Sequence, residues 1–464
     1  MNKQLDEKIL SYREDLISKV QELIRIKSVE GEPLEGKPFG EGPAKALDKA
    51  LEIAKELGFK TGTVDGYAGY AEFGEGKDHV AVLGHLDVVP EGDGWNFPPY
   101  GAEIHDGKLY GRGAVDDKGP IVAALYGAKA IMDLKLPITK RIRVIFGTNE
   151  ETGSHDMEYY VKKEEAPVSG FTPDAEFPVI FAEKGITTFN LMKKCNGSLG
   201  NYEVEYIKGG IRPNMVPDYC ETVIKGDKLD DIKEKAENLA KKIGFKFECA
   251  LEDAKMKVKC FGHGAHGSTP EKGKNAVMAM SQLLEDISTE DTELAKYLKF
   301  INKNIGFDTK GTGLGCNLSD EPSGDLSFNA GMLNFDGENI TLVNNLRYPV
   351  TVTIDDVINP VKEAIKGTGM EIKVVDDTKP LYYDKDNPMV AKLQNVFNEL
   401  TGQKIEPLAI GGGTYAKEVK NIVAFGPVFD DDPDVMHQPN EFIDLDKLML
   451  CAKIYGNAIY ELAK

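Results

Sequence analysis

Residues 80–87 read Val-Ala-Val-Leu-Gly-His-Leu-Asp, an apolar run that ends in a histidine and an aspartate. Further apolar runs follow, and a helical stretch rich in alanine and leucine separates the first two runs. The later runs and the helical stretch cover 142–146, 179–182 and about 119–134. Short apolar strands that alternate with helices are typical of a mostly parallel sheet covered by helices on both faces. Sites in such sheets lie beyond the carboxyl ends of the strands. The sequence therefore predicts an α/β domain with a site at that edge, near His85 and Asp87.

From about residue 186 the pattern changes to alternating, half-exposed strands mixed with helices. This pattern of strands and helices predicts an α+β domain, with an antiparallel sheet and helices on one face. The economical interpretation is a catalytic domain of residues 1–185 and 383–464, with residues 186–382 inserted as a lid. The insert is long enough to hold two similar α+β halves, although no internal sequence repeat is visible. The apolar spacing also predicts one helix over 3–27 and another over 275–303.

Composition limits the classes of partner. The chain has 464 residues and a net charge of −20, which argues against a nucleic-acid or anionic-membrane partner. Six cysteines lie without any Cys-x-x-Cys pair, which favours free thiols in a reducing compartment. The N-terminus lacks the apolar core of a signal peptide, and no apolar stretch is long enough to span a membrane. We therefore expect a cytoplasmic protein.

Three acidic motifs follow or precede predicted elements. His85 and Asp87 are two residues apart, so both side chains point the same way if the strand geometry continues. Asp116-Asp117 lies in a glycine-rich loop directly before a helix. Glu150-Glu151 follows the strand at 141–148, so one glutamate can bind metal while its neighbour faces water. Each motif alone also has an ordinary explanation, as a capped strand end, a helix N-cap or a pair of solvated carboxylates.

Three further residues are weak signals separately. Asp174 and His437 lie in loops, and His266 lies in a glycine-rich stretch of the predicted insert. Together with the acidic motifs, Asp174 and His437 supply the ligand types of a two-metal hydrolase site, with one carboxylate left over as a base.

The order of the motifs resembles the co-catalytic zinc peptidase family of aminoacylases, carboxypeptidase G and succinyl-diaminopimelate desuccinylase. The resemblance covers nearly the whole chain and is closest to the PepV-type, carnosinase-like bacterial dipeptidases. The motifs that carry it are Gly-His-Leu-Asp-Val-Val-Pro (84–90), Gly-Arg-Gly-Ala-Val-Asp-Asp-Lys-Gly (111–119), Thr-Asn-Glu-Glu-Thr-Gly-Ser (148–154), Pro-Asp-Ala-Glu-Phe-Pro (173–178), Ala-His-Gly-Ser-Thr-Pro (265–270) and His-Gln-Pro-Asn-Glu (437–441).

The resemblance implies a role for each matching position. Asp116 would bridge two divalent metal ions, with His85 and Asp174 completing one site and Glu151 and His437 the other. Glu150 would be the general base, and Asp87 would orient His85. His266 would stabilise the oxyanion, and the substrate would be held by Asn214, Arg347 and the turn that contains Gly413 and Thr414. Zinc is the metal of the family, while manganese or cobalt would suit the same ligands.

The resemblance further implies hydrolysis of unblocked dipeptides, with a small peptide as the only partner. Two alternatives stay open at this point: a deacylase of N-acyl or N-succinyl amino acids, and a non-catalytic binding protein of the same fold. Because the long insert could supply both lid halves itself, we expect a monomer.

Overall fold

Two units make up the chain in a computed structural model that describes residues 1–464. The first comprises Met1–Phe181, Tyr383–Ala409 and Gly413–Lys464, and the second comprises Ala182–Tyr382 and Ile410–Gly412. The second unit is thus inserted into the sequence of the first. No helix is long and apolar enough to cross a membrane.

A mixed sheet forms the first unit, and its four central strands run parallel. In spatial order these are Arg141–Gly147, His79–His85, Ser169–Thr172 and Ile422–Phe425. Antiparallel strands flank them, namely Lys60–Val64 and Ala68–Phe73 on one side and Val179–Glu183 on the other. The expected α/β class is confirmed, but parallel pairing is confined to the centre. At one edge the reason is local, because a short turn joins two successive strands and such a hairpin must be antiparallel.

The helices of the first unit cover the buried central strand His79–His85, all of whose residues lie in the core. Two of them, Lys118–Asp133 and Leu445–Ala463, pack against each other and against this strand. A Cβ placed on Gly127 would lie 2.7 Å from the Gly456 Cα, so the two helix backbones touch at these glycines. The other helices are Lys3–Leu10, Arg13–Ile24, Glu41–Glu56, His155–Tyr160 and Pro388–Thr401, with a 3₁₀ turn at Tyr415–Lys417. The remaining short strands of this unit are Glu103–His105, Lys108–Tyr110, Ala175–Glu176, Pro427–Val428 and Phe442–Asp444, while Leu381–Tyr382 belongs to the second unit and Leu408–Ile410 has residues in both.

The second unit is an eight-stranded sheet in which every pairing is antiparallel. Its spatial order is Lys246–Glu252, Lys255–Phe261, Tyr219–Gly226, Tyr202–Gly209, Ser327–Phe335, Asn339–Tyr348, Gly185–Lys194 and Glu371–Thr378. The helices are Leu229–Ile243, Ala276–Ile287, Glu293–Asn304 and Ile354–Ala364, with 3₁₀ turns at Pro270–Lys272 and Thr312–Leu314 and a small hairpin of Ser319–Asp320 and Gly324–Asp325.

One order of elements occurs twice in this sheet. Tyr202–Gly209 and Tyr219–Gly226 form a hairpin, and the helix that follows leads to the edge strand Lys246–Glu252. Ser327–Phe335 and Asn339–Tyr348 form a second hairpin, whose helix leads to the opposite edge strand, Glu371–Thr378. In each half of this sheet, one further strand lies between the hairpin and the edge strand.

Two helices that were expected to be continuous are each broken into two. The predicted helix 3–27 is interrupted by a turn at Ser11 and Tyr12. The predicted helix 275–303 ends at Ile287, and a new one starts after Thr292, whose hydroxyl accepts a hydrogen bond from the Ala295 amide. Apolar spacing continues across both breaks because the two helices of each pair bury the same kind of face. At the second break the capping side chain of Thr292 marks the new start, whereas Tyr12 gives no side-chain cap to the helix Arg13–Ile24.

Candidate active site

The five predicted ligands come from five separate segments of the first unit. His85 is the last residue of a central strand, and Glu151 and Asp174 follow the ends of two neighbouring parallel strands. Asp116 lies just before the helix Lys118–Asp133, and His437 lies in the loop after Pro427–Val428. The carboxyl ends of parallel strands meet at one edge of a sheet, which is why segments so distant in sequence converge.

The five side chains form two groups that share Asp116. His85, Asp116 and Asp174 make one group, while Asp116, Glu151 and His437 make the other, and the ligand atoms of each group lie within 4.8 Å of one another. Asp116 Oδ1 is 2.9 Å from His85 Nε2, and Asp116 Oδ2 is 3.0 Å from His437 Nε2. Glu151 Oε2 lies 3.1 Å from the same His437 nitrogen, and Asp174 Oδ2 lies 3.8 Å from His85 Nε2. Each oxygen of Asp116 therefore faces one group, as a bridging carboxylate must.

The charges of the cluster fit bound cations. Burial and the neighbouring carboxylates raise the pKa of Glu150, with Asp174 the largest of these neighbours, and burial likewise raises the pKa values of Glu151 and Asp174. Hydrogen bonds with Asp116 and Glu151 raise the pKa of His437 to about 11. These carboxylates repel one another and attract positive charge to the space between the imidazoles. Two imidazoles and three carboxylates form a nitrogen and oxygen donor set that suits divalent ions such as zinc, manganese or cobalt.

Asp87 holds two parts of the site at once. Its carboxylate accepts hydrogen bonds from the Glu150 and Glu151 amides, both at 3.1 Å, and its carbonyl accepts from His85 Nδ1 at 3.0 Å. The sequence suggested that Asp87 orients His85, and in the structure the backbone carbonyl makes this contact, while the nearer carboxylate oxygen is 3.6 Å from Nδ1. The carboxylate is directed instead to the two glutamate amides. Because Nδ1 donates to this carbonyl, Nε2 is the ring nitrogen that faces Asp116 and that would be available to a metal ion.

Glu441 and Arg112 connect Asp116 to the His437 loop. Glu441 Oε1 accepts hydrogen bonds from the amides of Gly113, Val115 and Asp116 at 3.0 to 3.3 Å, and its Oε2 pairs with Arg112 Nη1 at 2.7 Å. Arg112 Nη2 in turn donates to the His437 carbonyl at 3.3 Å. Burial raises the pKa of Glu441 to about 7. Arg112 and Glu441 both lie in the motifs quoted above, but the sequence assigned neither of them a role. The only signal was that each stands close in sequence to a predicted ligand.

His437 differs from the other predicted ligands in its exposure and backbone. Its side chain is 53% exposed, and its φ of +61° lies in the left-handed region, which is uncommon for a residue with a side chain. The hydrogen bond from Arg112 to its carbonyl helps to hold this conformation. Such outliers occur most often at functional sites.

In the second unit, Asn214 and His266 lie on two paired segments. The Gly267 amide donates to the Asn214 carbonyl at 2.8 Å, and Met215 forms a β-bridge with His266. The buried Asn329 side chain donates to the Pro213 and Met215 carbonyls, both at 2.8 Å, on either side of Asn214. The two predicted substrate-binding positions are therefore held together by backbone contacts.

The ring of His266 has a defined proton position. The Ser268 amide can only donate, and it lies 3.3 Å from His266 Nδ1, while the Ser268 hydroxyl lies 2.6 Å from the same nitrogen. Nδ1 is therefore an acceptor, and the neutral ring carries its proton on Nε2. This tautomer has an N–H that can donate to an oxyanion.

Arg347 is a buried cation in the second unit, with a guanidinium that lacks a close acidic partner. The residue is 5% exposed, and its Nε has no hydrogen-bond partner. Burial lowers the pKa of Arg347 to about 10, and the charge of Asp376 opposes this only in part. A buried, incompletely paired guanidinium is a good receptor for a carboxylate.

The predicted substrate turn is split between an exposed and a buried residue of the first unit. Gly413 is exposed, whereas Thr414 is 8% exposed and caps the 3₁₀ turn Tyr415–Lys417 by accepting from the Ala416 amide. Gly413 thus offers accessible backbone, while the described contact of Thr414 is structural.

Comparison with known protein families gives a match over most of the chain. The profile of peptidase family M20/M25/M40 matches residues 81–461. The chain belongs to this family. A Bacillus subtilis (strain 168) protein named "Putative dipeptidase YtjP" is 40% identical over 98% of this chain and 99% of its own length. A Staphylococcus aureus (strain bovine RF122 / ET3-1) relative of the same description is 36% identical over 98% of both chains.

Solved structures share the fold of this M20 chain. Human carnosine dipeptidase 1 superposes with a TM-score of 0.58 at 18% identity, over 99% of this chain and 98% of that one. The di-peptidase Dug1p from Saccharomyces cerevisiae gives a TM-score of 0.56 at 14% identity, over 99% and 98%. Identities this low support the architecture alone.

Proposed function

We propose that the protein is a metal-dependent dipeptidase that hydrolyses unblocked dipeptides. The observation that carries the proposal is the sharing of Asp116 by two ligand groups, with Glu150 adjacent in the chain to the ligand Glu151. Membership of the M20 family and the dipeptidase names of the two relatives support the choice of substrate.

Two divalent ions, zinc in our proposal, would be held by the five residues. His85 and Asp174 would bind one ion, Glu151 and His437 the other, and Asp116 both. When bound, such a pair supplies Lewis-acid chemistry and activates water. Asp87 would position the ligands from behind, because it holds the His85 ring and the Glu150-Glu151 backbone.

Glu150 would transfer the proton. Its carboxylate is the one acidic group of the motif that neither ligand group uses. Burial and adjacent negative charges raise the pKa of Glu150, which helps it to hold a proton once it has accepted one. In the proposed reaction Glu150 takes a proton from the attacking water and delivers it to the leaving amine nitrogen.

The second unit would recognise the substrate. We assign Arg347 to the substrate carboxylate, because its buried guanidinium lacks a close acidic partner. His266 would donate its Nε2–H to the oxyanion, and Asn214 would bind the peptide backbone. We assign Gly413 and Thr414 to substrate contacts through the backbone of their turn.

A panel assay tests the proposal. The metal-loaded protein should hydrolyse free dipeptides faster than tripeptides or N-acylated amino acids, whereas preferred cleavage of acylated substrates would make it a deacylase. Glu150→Gln should retain two ions per chain yet lose about 100-fold or more in kcat. Glu158→Gln, at an exposed position of the helix His155–Tyr160, is the control and should behave as the wild type. Normal turnover by a metal-loaded Glu150→Gln protein would refute the assigned base.

We also propose that the protein is a monomer. The repeated order of hairpin, helix and edge strand supports this proposal, because the second unit would supply both lid halves from one chain. Light scattering at assay concentrations should return the mass of one chain, and a dimer mass would contradict the proposal.

A further inference from the structure

The loop that carries Glu150 is fixed by an unusual run of hydrogen bonds. Four successive amides, those of residues 148 to 151, all donate to buried carboxylates. Thr148 and Asn149 donate to Asp156 Oδ2 at 2.6 and 3.1 Å, and the next two amides donate to Asp87, both at 3.1 Å. Because every amide of the segment is committed, the direction in which Glu150 leaves the backbone is set by two carboxylates.

Asp156 is itself held by a tyrosine far away in the sequence. The Tyr415 hydroxyl donates to Asp156 Oδ2, the same oxygen that accepts from Thr148 and Asn149. Asp156 and Tyr415 are fully buried. Three donors therefore converge on one buried oxygen of Asp156.

Tyr415 also touches the other parts of the site. A Cβ placed on Gly147 would lie 2.2 Å from the Tyr415 hydroxyl oxygen, so the phenol occupies the space that a side chain would take at the end of this strand. The Tyr415 ring packs edge-on against the His85 ring, with centroids 6.2 Å apart. Tyr415 therefore lies behind both the predicted ligand and the predicted base.

We infer that Tyr415 and Asp156 are positioning residues that hold the loop 148–151 so that Glu150 points at the reacting water. The inference rests on the proposed function, in which Glu150 is the base. Neither residue belongs to the ligand groups. Their effect would pass through the backbone of the loop, so metal binding should survive their alteration while proton transfer should not.

The first test compares two tyrosine substitutions. Tyr415→Phe removes only the hydroxyl and should lower kcat about tenfold, since small misplacements of a reacting group cost large factors in rate. KM for a dipeptide and the content of two ions per chain should remain as in the wild type. Tyr126→Phe is the matched control, because the buried Tyr126 donates to Asp15 at 2.6 Å in the same unit. Loss of the Tyr126 hydroxyl should lower thermal stability without changing kcat. Asp156→Asn provides a second variant with nearly unchanged shape and should also lower kcat.

The decisive measurement repeats Tyr415→Phe in the Glu150→Gln protein. If Tyr415 acts through Glu150, the substitution should cost nothing further in residual kcat, because residues that act as a unit are not additive. The same tenfold loss of kcat in both backgrounds would overturn the inference. Wild-type kcat in both Tyr415→Phe and Asp156→Asn would also overturn it, and so would a loss of bound metal in either variant. A fully active Glu150→Gln protein would instead show that the proposed base is wrong. The two failures are therefore distinguishable.

Discussion

Replacing Glu441 by alanine should weaken metal binding as well as folding. The change leaves the buried Arg112 guanidinium without its carboxylate, and it leaves the amides of Gly113, Val115 and Asp116 without an acceptor. Breaking a buried ion pair from one side costs about 3–5 kcal/mol. Loss of a group that orients metal ligands lowers metal affinity by about 10–100-fold. Glu441→Gln keeps an acceptor for the amides, so we expect a smaller loss of affinity.

The assay should separate the two effects. Metal affinity is measured by competition with a chelator, and the free energy of unfolding by urea titration of the metal-free protein. Glu72→Ala is the control, because Glu72 pairs with Arg141 at 2.6 Å and with Arg143 at 2.7 Å and lies outside both ligand groups. It should lower stability and leave metal affinity unchanged. Wild-type metal affinity in Glu441→Ala, or an equal loss in Glu72→Ala, would refute the reasoning.

Three further outcomes follow from the charges of the structure. Removal of metal by a chelator should lower Tm, and an ion at 100 times its Kd should restore about 2.7 kcal/mol, as calorimetry of both forms can check. Arg347→Ala should raise KM for dipeptides by about 30-fold or more, because truncating one partner of a buried charge pair costs about 2–5 kcal/mol; steady-state kinetics at full metal loading measures this. Burial lowers the pKa of His79 to about 4 from an unfolded value of 6.5, so the unfolded chain takes up the proton first as pH falls. This contribution to stability is present above pH 6.5 and is lost towards pH 4, by about 2 kcal/mol at pH 5. Urea unfolding above pH 6.5 and at pH 5 should show this loss of stability in the wild type and not in His79→Gln.

Part of the convergence of the predicted ligands could be anticipated from the sequence, because some of them stand at the ends of apolar strands. His85 closes an apolar run, and Glu150-Glu151 closes the next, so their meeting at one sheet edge follows from the α/β pattern alone. Asp174 and His437 had no such signal, and only the order of the motifs in the resemblance joined them to the site. The structure places all five together.

The residues behind the ligands were beyond sequence reasoning because their contacts join distant segments. The Tyr415 hydroxyl fills the space beside Gly147, and Glu441 binds amides at 113–116. No local pattern marks such a pair, since a tyrosine after a threonine or a glutamate after an asparagine is compatible with many environments. The contact of Asp87 illustrates the same limit, because the spacing to His85 indicated proximity but not which oxygen accepts the hydrogen bond.

The order of hairpin, helix and edge strand recurs in the second unit without a visible repeat in the sequence. A half-buried antiparallel strand needs an alternation of apolar and polar residues, not particular side chains, so two halves can diverge while their hairpins and edge strands keep the same order. The halves meet where Tyr202–Gly209 pairs with Ser327–Phe335, and that pairing is antiparallel, as a two-fold relation between equivalent strands requires. One strand of the second half, Gly185–Lys194, comes from the start of the unit rather than from its sequence neighbours. The two halves therefore differ in chain connectivity, although the order of hairpin, helix and edge strand is contiguous in each.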